Sequence, residues 1–431
     1  MESTDMTHAL EKNPLSGLLS AASGWSAGSG SIDKILHAVR THLGMDVAFV
    51  AEFRATDRVF RHVDAQDRSP IHAGDAASLE NGYCQRVIDG RLPELIPDTS
   101  AVAEAMALQE TIDIPIGSHI SVPIRLADGR LYGTFCCFGF APDATLCQRD
   151  LRLMKAFADL AADQIDHDLN NVQKREEKIH RITAAVANGQ PSIVYQPVYD
   201  LETNRIAGVE GLSRFQGGLQ RTPDVWFSEA ADVGLGVALE LQAISMALAG
   251  LDSLSSDIYL AINSSPETII SGALTEALRS VQAERVVVEI TEHNSISDYA
   301  KLLEMLVPLR ALGVRIAIDD AGAGYASMRH ILSMQPDLIK LDMSLTRNID
   351  KDSNRRALAS ALIAFARETN NVIVAEGVET ESELYTLQNL GVERAQGYFL
   401  SRPLALADAI QLPINDHRRS AMEYGFRPSH G

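Results

Sequence analysis

Seven polar positions in the second half of the chain fall at the ends of short β-rich runs: Glu210, Asn263, Glu289, the pair Asp319-Asp320, Lys340 and Glu376. Five are carboxylates, and so many cannot crowd one place ionised without compensation. Divalent cations supply it, and carboxylate and amide oxygens suit Mg²⁺ or Mn²⁺ rather than copper or structural zinc. An adjacent Asp-Asp pair lets one carboxylate bridge two ions. Two ions about 3.5–4 Å apart form a clamp for in-line displacement at phosphorus. Each residue taken singly has a plainer reading. Asn263 before Ser264 can cap a helix, Asp319-Asp320 can be turn residues, Glu210 a solvated charge, and Lys340 an ion-pair partner. The succession of strand ends is what argues against those readings.

The elements that must position these residues are β-rich runs over Ile193–Gln196, Arg205–Leu212, Ile258–Ile262, Val286–Ile290, Arg315–Asp319, Leu338–Leu341, Val372–Ala375 and Arg394–Phe399. Helical patterns such as Ile296–Leu312 and Arg355–Thr369 separate most of them. Repeated β-then-α units spell a parallel sheet, and this many spell a closed (β/α)8 barrel. The C-terminal strand ends of such a barrel converge on one mouth, where catalytic groups lie.

At 431 residues the chain has room for two domains. Hydrophobic residues at 46% and charged residues at 22% describe a globular chain. A net charge of −19 argues against DNA or an anionic membrane surface as partner. A small phosphate ligand stays open, because bound cations invert the local field. The cysteines Cys84, Cys136, Cys137 and Cys147 lack C-x-x-C spacing. They signal neither a zinc site nor a disulfide framework, and Cys136 and Cys137 read as buried apolar thiols. No signal peptide or membrane span is legible, so a reducing cytoplasm is the expected location.

The spacing predicts a flexible segment over 1–30 and an α+β unit over 31–168. That unit has a helix over Ile32–Leu43 and strands over Asp46–Phe53 and Arg58–Val63. An irregular stretch with one short helix follows over Ala73–Asp98. A hairpin of His119–Leu126 and Arg130–Phe140 turns at Asp128-Gly129. A long helix from near Leu146 to about Val186 includes a connector over 169–188, and the barrel domain occupies 189–431. Ile165, Leu169, Val172 and Ile179 fall near heptad spacing, with Glu176 as a polar break. They suit either pairing with a second copy or packing on the helix's own domain.

From Ser192 to Leu412 the chain resembles the EAL family of cyclic di-GMP phosphodiesterases. The motifs that carry the resemblance are YQPVYDL (Tyr195–Leu201), EGLSRF (Glu210–Phe215), NSSPETI (Asn263–Ile269), VVEITEH (Val287–His293), DDAGAGYASM (Asp319–Met328), DLIKLD (Asp337–Asp342), AEGVET (Ala375–Thr380) and QGYFLSRP (Gln396–Pro403). The resemblance implies two Mg²⁺ or Mn²⁺ ions, one held by Glu210, Asn263, Glu289 and Asp319, the other by Asp319, Asp320 and Glu376. It implies that Lys340 orients the attacking water, that Glu292 braces the loop after Asp320, and that Glu379 supports the site from behind. Glu376 is a base in a common proposal for the family. Gln196, Leu212, Arg214 and Gln396 match positions that contact the dinucleotide. The implied reaction opens cyclic di-GMP to linear pGpG. Three departures from the family pattern, Gly211, Ala321 and Ala323, spare every metal ligand and bear on rate. The alternative is a non-catalytic cyclic di-GMP receptor or scaffold. A GGDEF-type cyclase motif is not present.

Residues 31–168 resemble a GAF domain through NGYCQRVIDGRLPELIPD (Asn81–Asp98) and SVPIRLADGRLYGTF (Ser121–Phe135). This implies a sensor for an unidentified small molecule, or a purely dimerising unit, and a regulated homodimer. No cysteine precedes a histidine, so a bilin photoreceptor is not expected. His62, His72 and His119 read as satisfied polar residues rather than haem ligands.

Overall fold

A computed structural model describes residues 30–66, 69–216, 221–290, 298–321 and 325–412, with the side chains of 325–328 excepted. The chain divides into two compact units, Met1–Lys174 and Arg175–Gly431.

The first unit is a six-stranded antiparallel sheet ordered β3-β2-β1-β6-β5-β4. Its strands are β1 (Val47–Phe53), β2 (Asp57–Ala65), β3 (Ala76–Ser78), β4 (Leu95–Ile96), β5 (Ser118–Arg125) and β6 (Leu131–Gly139). The expected hairpin is β5–β6, and Gly129 supplies the left-handed turn residue at φ 82°. The two short edge strands β3 and β4 fall inside the stretch expected to be irregular. At two or three residues, neither carries an alternation that a pattern can register. One sheet face packs under the helix Ser31–Leu43 and the start of the long helix, through Ile35, Val50, Ile124, Phe135 and Met154. The other packs under the helix Tyr83–Ile88, through Phe49, Tyr83, Cys84 and Cys136.

A single 40-residue helix runs over Gln148–Ala187. Ile165 is buried in the first unit's core, whereas Leu169, Val172 and Ile179 are exposed. The stretch from Arg175 onward packs on the helix Pro223–Asp232. Ile182 and Ala185 meet Trp226 and Ala230, and Lys178 and Arg181 pair with Asp232 and Glu229, both at 2.7 Å.

The second unit is a closed barrel, β10-β11-β12-β13-β14-β7-β8-β9. Its strands are β7 (Ser192–Asp200), β8 (Arg205–Arg214), β9 (Tyr259–Ser264), β10 (Val286–Ile290), β11 (Arg315–Ala321), β12 (Leu338–Leu341), β13 (Val372–Ala375) and β14 (Arg394–Ala395). The parallel expectation needs one correction: β7 runs antiparallel to both β8 and β14. The link from Asp200 to Arg205 is too short for a crossover. It forms a turn in which Asp200 accepts from the Thr203 backbone N–H and hydroxyl, and Asn204 takes φ 54°. The last strand is also shorter than the expected Arg394–Phe399. Gly397 lies so close to the Val378 backbone that a Cβ would meet its carbonyl oxygen at 2.2 Å. That close approach replaces a regular ladder.

Period-2 alternation decides what each barrel strand shows to the interior. Ile316, Ile318, Ile339 and Ile373 face the surrounding helices. Val198, Ala261, Val287, Ala317, Leu338 and Val374 fill the interior as one apolar layer.

Candidate active site

Two residues further along the parallel strands, that apolar layer gives way to a polar one. Ala261 leads to Asn263, Val287 to Glu289, Ala317 to Asp319, Leu338 to Lys340 and Val374 to Glu376. On antiparallel β7 the same step runs backwards, from Val198 to Gln196. Gln196 stands opposite Glu210 in the register.

Lys340 is the hub. Its side chain is 2% exposed. Nζ lies 2.7 Å from Glu289, 2.5 Å from Glu376, 3.2 Å from Asp319 and 3.6 Å from Glu210. Burial disfavours the ammonium, but the surrounding carboxylates outweigh that and hold its pKa well above the usual lysine value. Glu289 is pushed well above the carboxylate range by burial, which Lys340 offsets only in part. Burial likewise pushes Glu376 up to about 8. Glu210 goes the other way. Burial would raise it, but Lys340, Gln396 and Asn263 together bring it below its ordinary value. Asn263 Nδ2 donates to one Glu210 oxygen at 2.9 Å and Gln396 Nε2 to the other at 2.7 Å. Gln396 Nε2 also lies 3.0 Å from Gln196 Oε1, and Gln196 Nε2 donates to the Ser401 carbonyl at 3.2 Å.

Asp320 would ordinarily point away from Asp319, since successive strand residues alternate. The β11–β12 register shifts between Ile318 and Ala321, and Asp320 adopts φ 55°. This bulge brings carboxylate oxygens of Asp319, Asp320 and Glu376 within 4.8 Å of one another. Aspartate tolerates the left-handed region better than most residues, and bulges are common beside active sites. The donor set fits divalent cations. It is all oxygen, and the four carboxylates around the single Lys340, with Asp320 beside two of them, leave a negative excess that protons or cations must balance.

The other expected site residues lie in different surroundings. Leu212 and Arg214 are half-buried on β8 beyond Glu210, and Arg214 donates to the Ser213 carbonyl at 2.8 Å. Glu379 pairs with Arg347 where both are half-exposed. Glu292 lies outside the described residues, as does Ala323. Gly211 adds no looseness beside Glu210, because it is paired on both sides, with Tyr195 and Ile262. A Cβ there would approach Ala247 at 3.2 Å, on the helix side of the strand. Ala321 is fully buried and pairs with Leu341. Sequence reasoning missed Thr346, whose hydroxyl donates to the Glu376 carbonyl, and Glu383, which accepts from the Glu379 and Thr380 backbone amides at 2.9 and 3.0 Å. The T-x-x-E of a capping box (Thr380 to Glu383) was a legible signal for the second; nothing marks Thr346.

Comparison with known proteins joins this geometry to a family. Residues 179–403 match the EAL domain model. The chain belongs to the EAL domain family. Residues 32–166 match a GAF domain model, so the EAL barrel is preceded by a GAF domain. The bifunctional diguanylate cyclase/cyclic di-GMP phosphodiesterase MucR of Pseudomonas aeruginosa is 31% identical over 247 residues, covering 54% of this EAL protein and 36% of MucR. The cyclic di-GMP phosphodiesterase RocR of the same organism is 32% identical over 236 residues, covering 52% of this chain and 60% of RocR. The chain therefore spans less than two thirds of either relative. The solved PaMucR phosphodiesterase in complex with c-di-GMP is similar at TM-score 0.50 and 30% identity, covering 54% of this chain and 99% of that one. The EAL enzyme Bd1971, in a form with cAMP and cyclic di-GMP bound, covers 85% of this chain and 93% of its own at TM-score 0.54. At 18% identity that is a likeness of fold.

Proposed function

We propose that this chain hydrolyses one phosphodiester of cyclic di-GMP, giving linear pGpG. The observation that carries the reading is the ring of carboxylates around buried Lys340, joined by the Asp319, Asp320 and Glu376 cluster at the barrel mouth. Its support is membership of the EAL family together with relatives named as cyclic di-GMP phosphodiesterases.

Glu210, Asn263, Glu289 and Asp319 would hold one Mg²⁺ or Mn²⁺, and Asp319, Asp320 and Glu376 a second. Bound there, the ions neutralise buried carboxylates and phosphoryl oxygens and make water more acidic. Lys340 orients the attacking water through its fixed ammonium. Glu376, at the mouth beside Lys340 and Asp319, is placed to take a proton from that water. Water adds to phosphorus, the bond to the ribose 3′ oxygen breaks, and a proton ends on that oxygen. Gln196, Gln396, Leu212 and Arg214 line the approach for the dinucleotide, with Arg214 suited to a phosphate. Glu379, through its loop, and Glu292 support the mouth from outside the contact with substrate.

The exposed Leu169, Val172 and Ile179 on the long helix favour a homodimer, in which the GAF domain regulates the barrel in response to an unidentified small molecule. A cytoplasmic location is part of the same proposal; among the described residues no helix is long and apolar enough to cross a membrane. The test is incubation with cyclic di-GMP and Mg²⁺ or Mn²⁺, with nucleotides separated by chromatography. Metal-dependent pGpG is expected. Tight binding without product would make the chain a receptor instead.

A further inference from the structure

The GAF domain buries a polar cluster that the proposed hydrolysis does not use. Arg58 is 1% exposed on β2. Its Nη1 donates to Cys84 Sγ at 2.9 Å, and its Nη2 pairs with Glu110. Cys84 Sγ lies 3.6 Å from Cys136 Sγ, which in turn meets Ser121 Oγ at 3.0 Å. The fold makes room for this contact at Gly82, where a Cβ would stand 2.3 Å from Arg58 Nη1. His119, expected to be a satisfied polar residue, packs tilted against Tyr83 with ring centroids 4.5 Å apart and leaves its buried Nδ1 without a hydrogen-bond partner among the described residues.

Buried thiols are ordinarily inert, because burial raises their pKa. Cys137 is such a thiol. It faces the other side of the sheet, against Met154, and burial pushes its pKa far up. Cys84 differs. The hydrogen bond from Cys136 and the Arg58 charge outweigh burial and bring it down to about 6, while Cys136 is driven well above the usual range by burial. One sulfur is thus suited to be the thiolate and its neighbour to keep its proton. A small cavity of about 10 Å³, room for about one water, lies beside the cluster, with Arg58, Tyr83, Glu110 and His119 in its wall.

We infer that Cys84 and Cys136 form a redox-active pair, in which a small hydroperoxide oxidises Cys84 and Cys136 resolves the product to an intramolecular disulfide. The Cys84 thiolate takes one peroxide oxygen, the O–O bond breaks, and the departing alkoxide or hydroxide picks up a proton. The Cys136 sulfur then attacks the Cys84 sulfenic acid. The S–S bond forms, the S–O bond breaks, and the leaving hydroxide takes the Cys136 proton as water. Two thiols and one hydroperoxide become one disulfide, one alcohol (or water) and one water. The sulfurs must close from 3.6 Å to about 2.05 Å.

The test uses the full chain carrying Cys147→Ser, which removes the exposed one of the four cysteines and leaves three. After treatment with hydrogen peroxide, thiols titrated in denaturant should fall from three to one. Peptide mapping should find Cys84 joined to Cys136, and dithiothreitol should restore all three. Adding Cys136→Ser should leave Cys84 as a sulfenic acid trapped by dimedone, and adding Cys84→Ser should abolish trapping at Cys136. Three thiols surviving the oxidant, a bridge to Cys137, or sulfenic acid at Cys136 in the Cys84→Ser protein would each overturn the inference. The first measurement alters no buried residue, so it stands even if a core variant fails to fold. None of these readouts depends on hydrolysis by the barrel.

Discussion

The Lys340 ammonium meets the Glu289 carboxylate at 2.7 Å although strand β11 runs between theirs. Asp319, on that intervening strand, joins at 3.2 Å. Removing one partner of a buried ion pair costs roughly 3–5 kcal/mol, because the other charge is left uncompensated. Lys340→Ala should therefore lower the melting temperature in chelator, and Mg²⁺ or Mn²⁺ should restore much of it. Turnover should fall strongly while cyclic di-GMP affinity is largely kept. Comparing kcat with Kd checks this, and equal losses in both would make Lys340 a substrate clamp.

Glu210→Ala and Asp319→Ala should abolish pGpG formation while leaving the circular dichroism spectrum native. Both groups lie above the apolar layer of the barrel rather than within it. The Asp319 loss should be the greater, since that carboxylate is shared between the proposed ion sites. Near-normal turnover in either variant would remove it from the metal set.

The raised carboxylates give the metal-free protein a pH signature. Glu289 and Glu376 have folded-state pKa values above the ordinary range, Glu376 near 8. The folded state therefore holds protons that the unfolded chain releases. Stability from this source is fully present below the unfolded carboxylate pKa of about 4.3, and is lost as pH rises through the folded values. In chelator the melting temperature should fall between about pH 5 and pH 8. Saturating Mg²⁺ should flatten the fall, because cations then take the place of protons. A level profile in chelator would contradict the assignment.

Gln396→Leu should weaken the site without dismantling it. It removes the donor that Glu210 and Gln196 share, at 2.7 and 3.0 Å. A hydrogen bond to a charged group is worth about 1.5–3 kcal/mol, so apparent metal affinity should fall by about tenfold or more. A metal titration of turnover reads this directly. An unchanged midpoint would confine Gln396 to substrate contact.

Much of this site was legible because a strand has period two. Val287 and Glu289, Leu338 and Lys340, and Ala317 and Asp319 each announce an apolar floor and a polar mouth within three residues. The direction of β7 was not legible from that alternation, because a strand reads the same forwards and backwards. Only the Asp200–Asn204 turn chemistry gave it away. Asp320 was among the expected ligands, but the bulge that brings its carboxylate to the mouth is not encoded in any alternation. In the GAF domain Cys136 and Cys137 were read alike as buried thiols, and the three-dimensional placement of Cys84 beside Cys136 separates them.

Replacing Leu169 and Val172 together by glutamate should convert a solution dimer into monomers. These side chains are 41% and 55% exposed, so their replacement costs the isolated fold little. Light scattering gives the mass, and product assays of the same samples give activity. A monomeric parent, or a dimer that survives both glutamates, would move the interface elsewhere.

In a barrel with every strand parallel, the chain enters from the floor, on the side away from the chemistry. Here the reversed β7 begins at the mouth, with Ser192 paired to Arg214 at the far end of β8. The backbone leaving the long helix at Ala187 has only four residues to cross before it becomes that strand. The helix is thus tethered to the rim beside Arg214, one of the proposed dinucleotide contacts. A twist or pull along it would arrive at the proposed substrate entrance without first crossing the barrel.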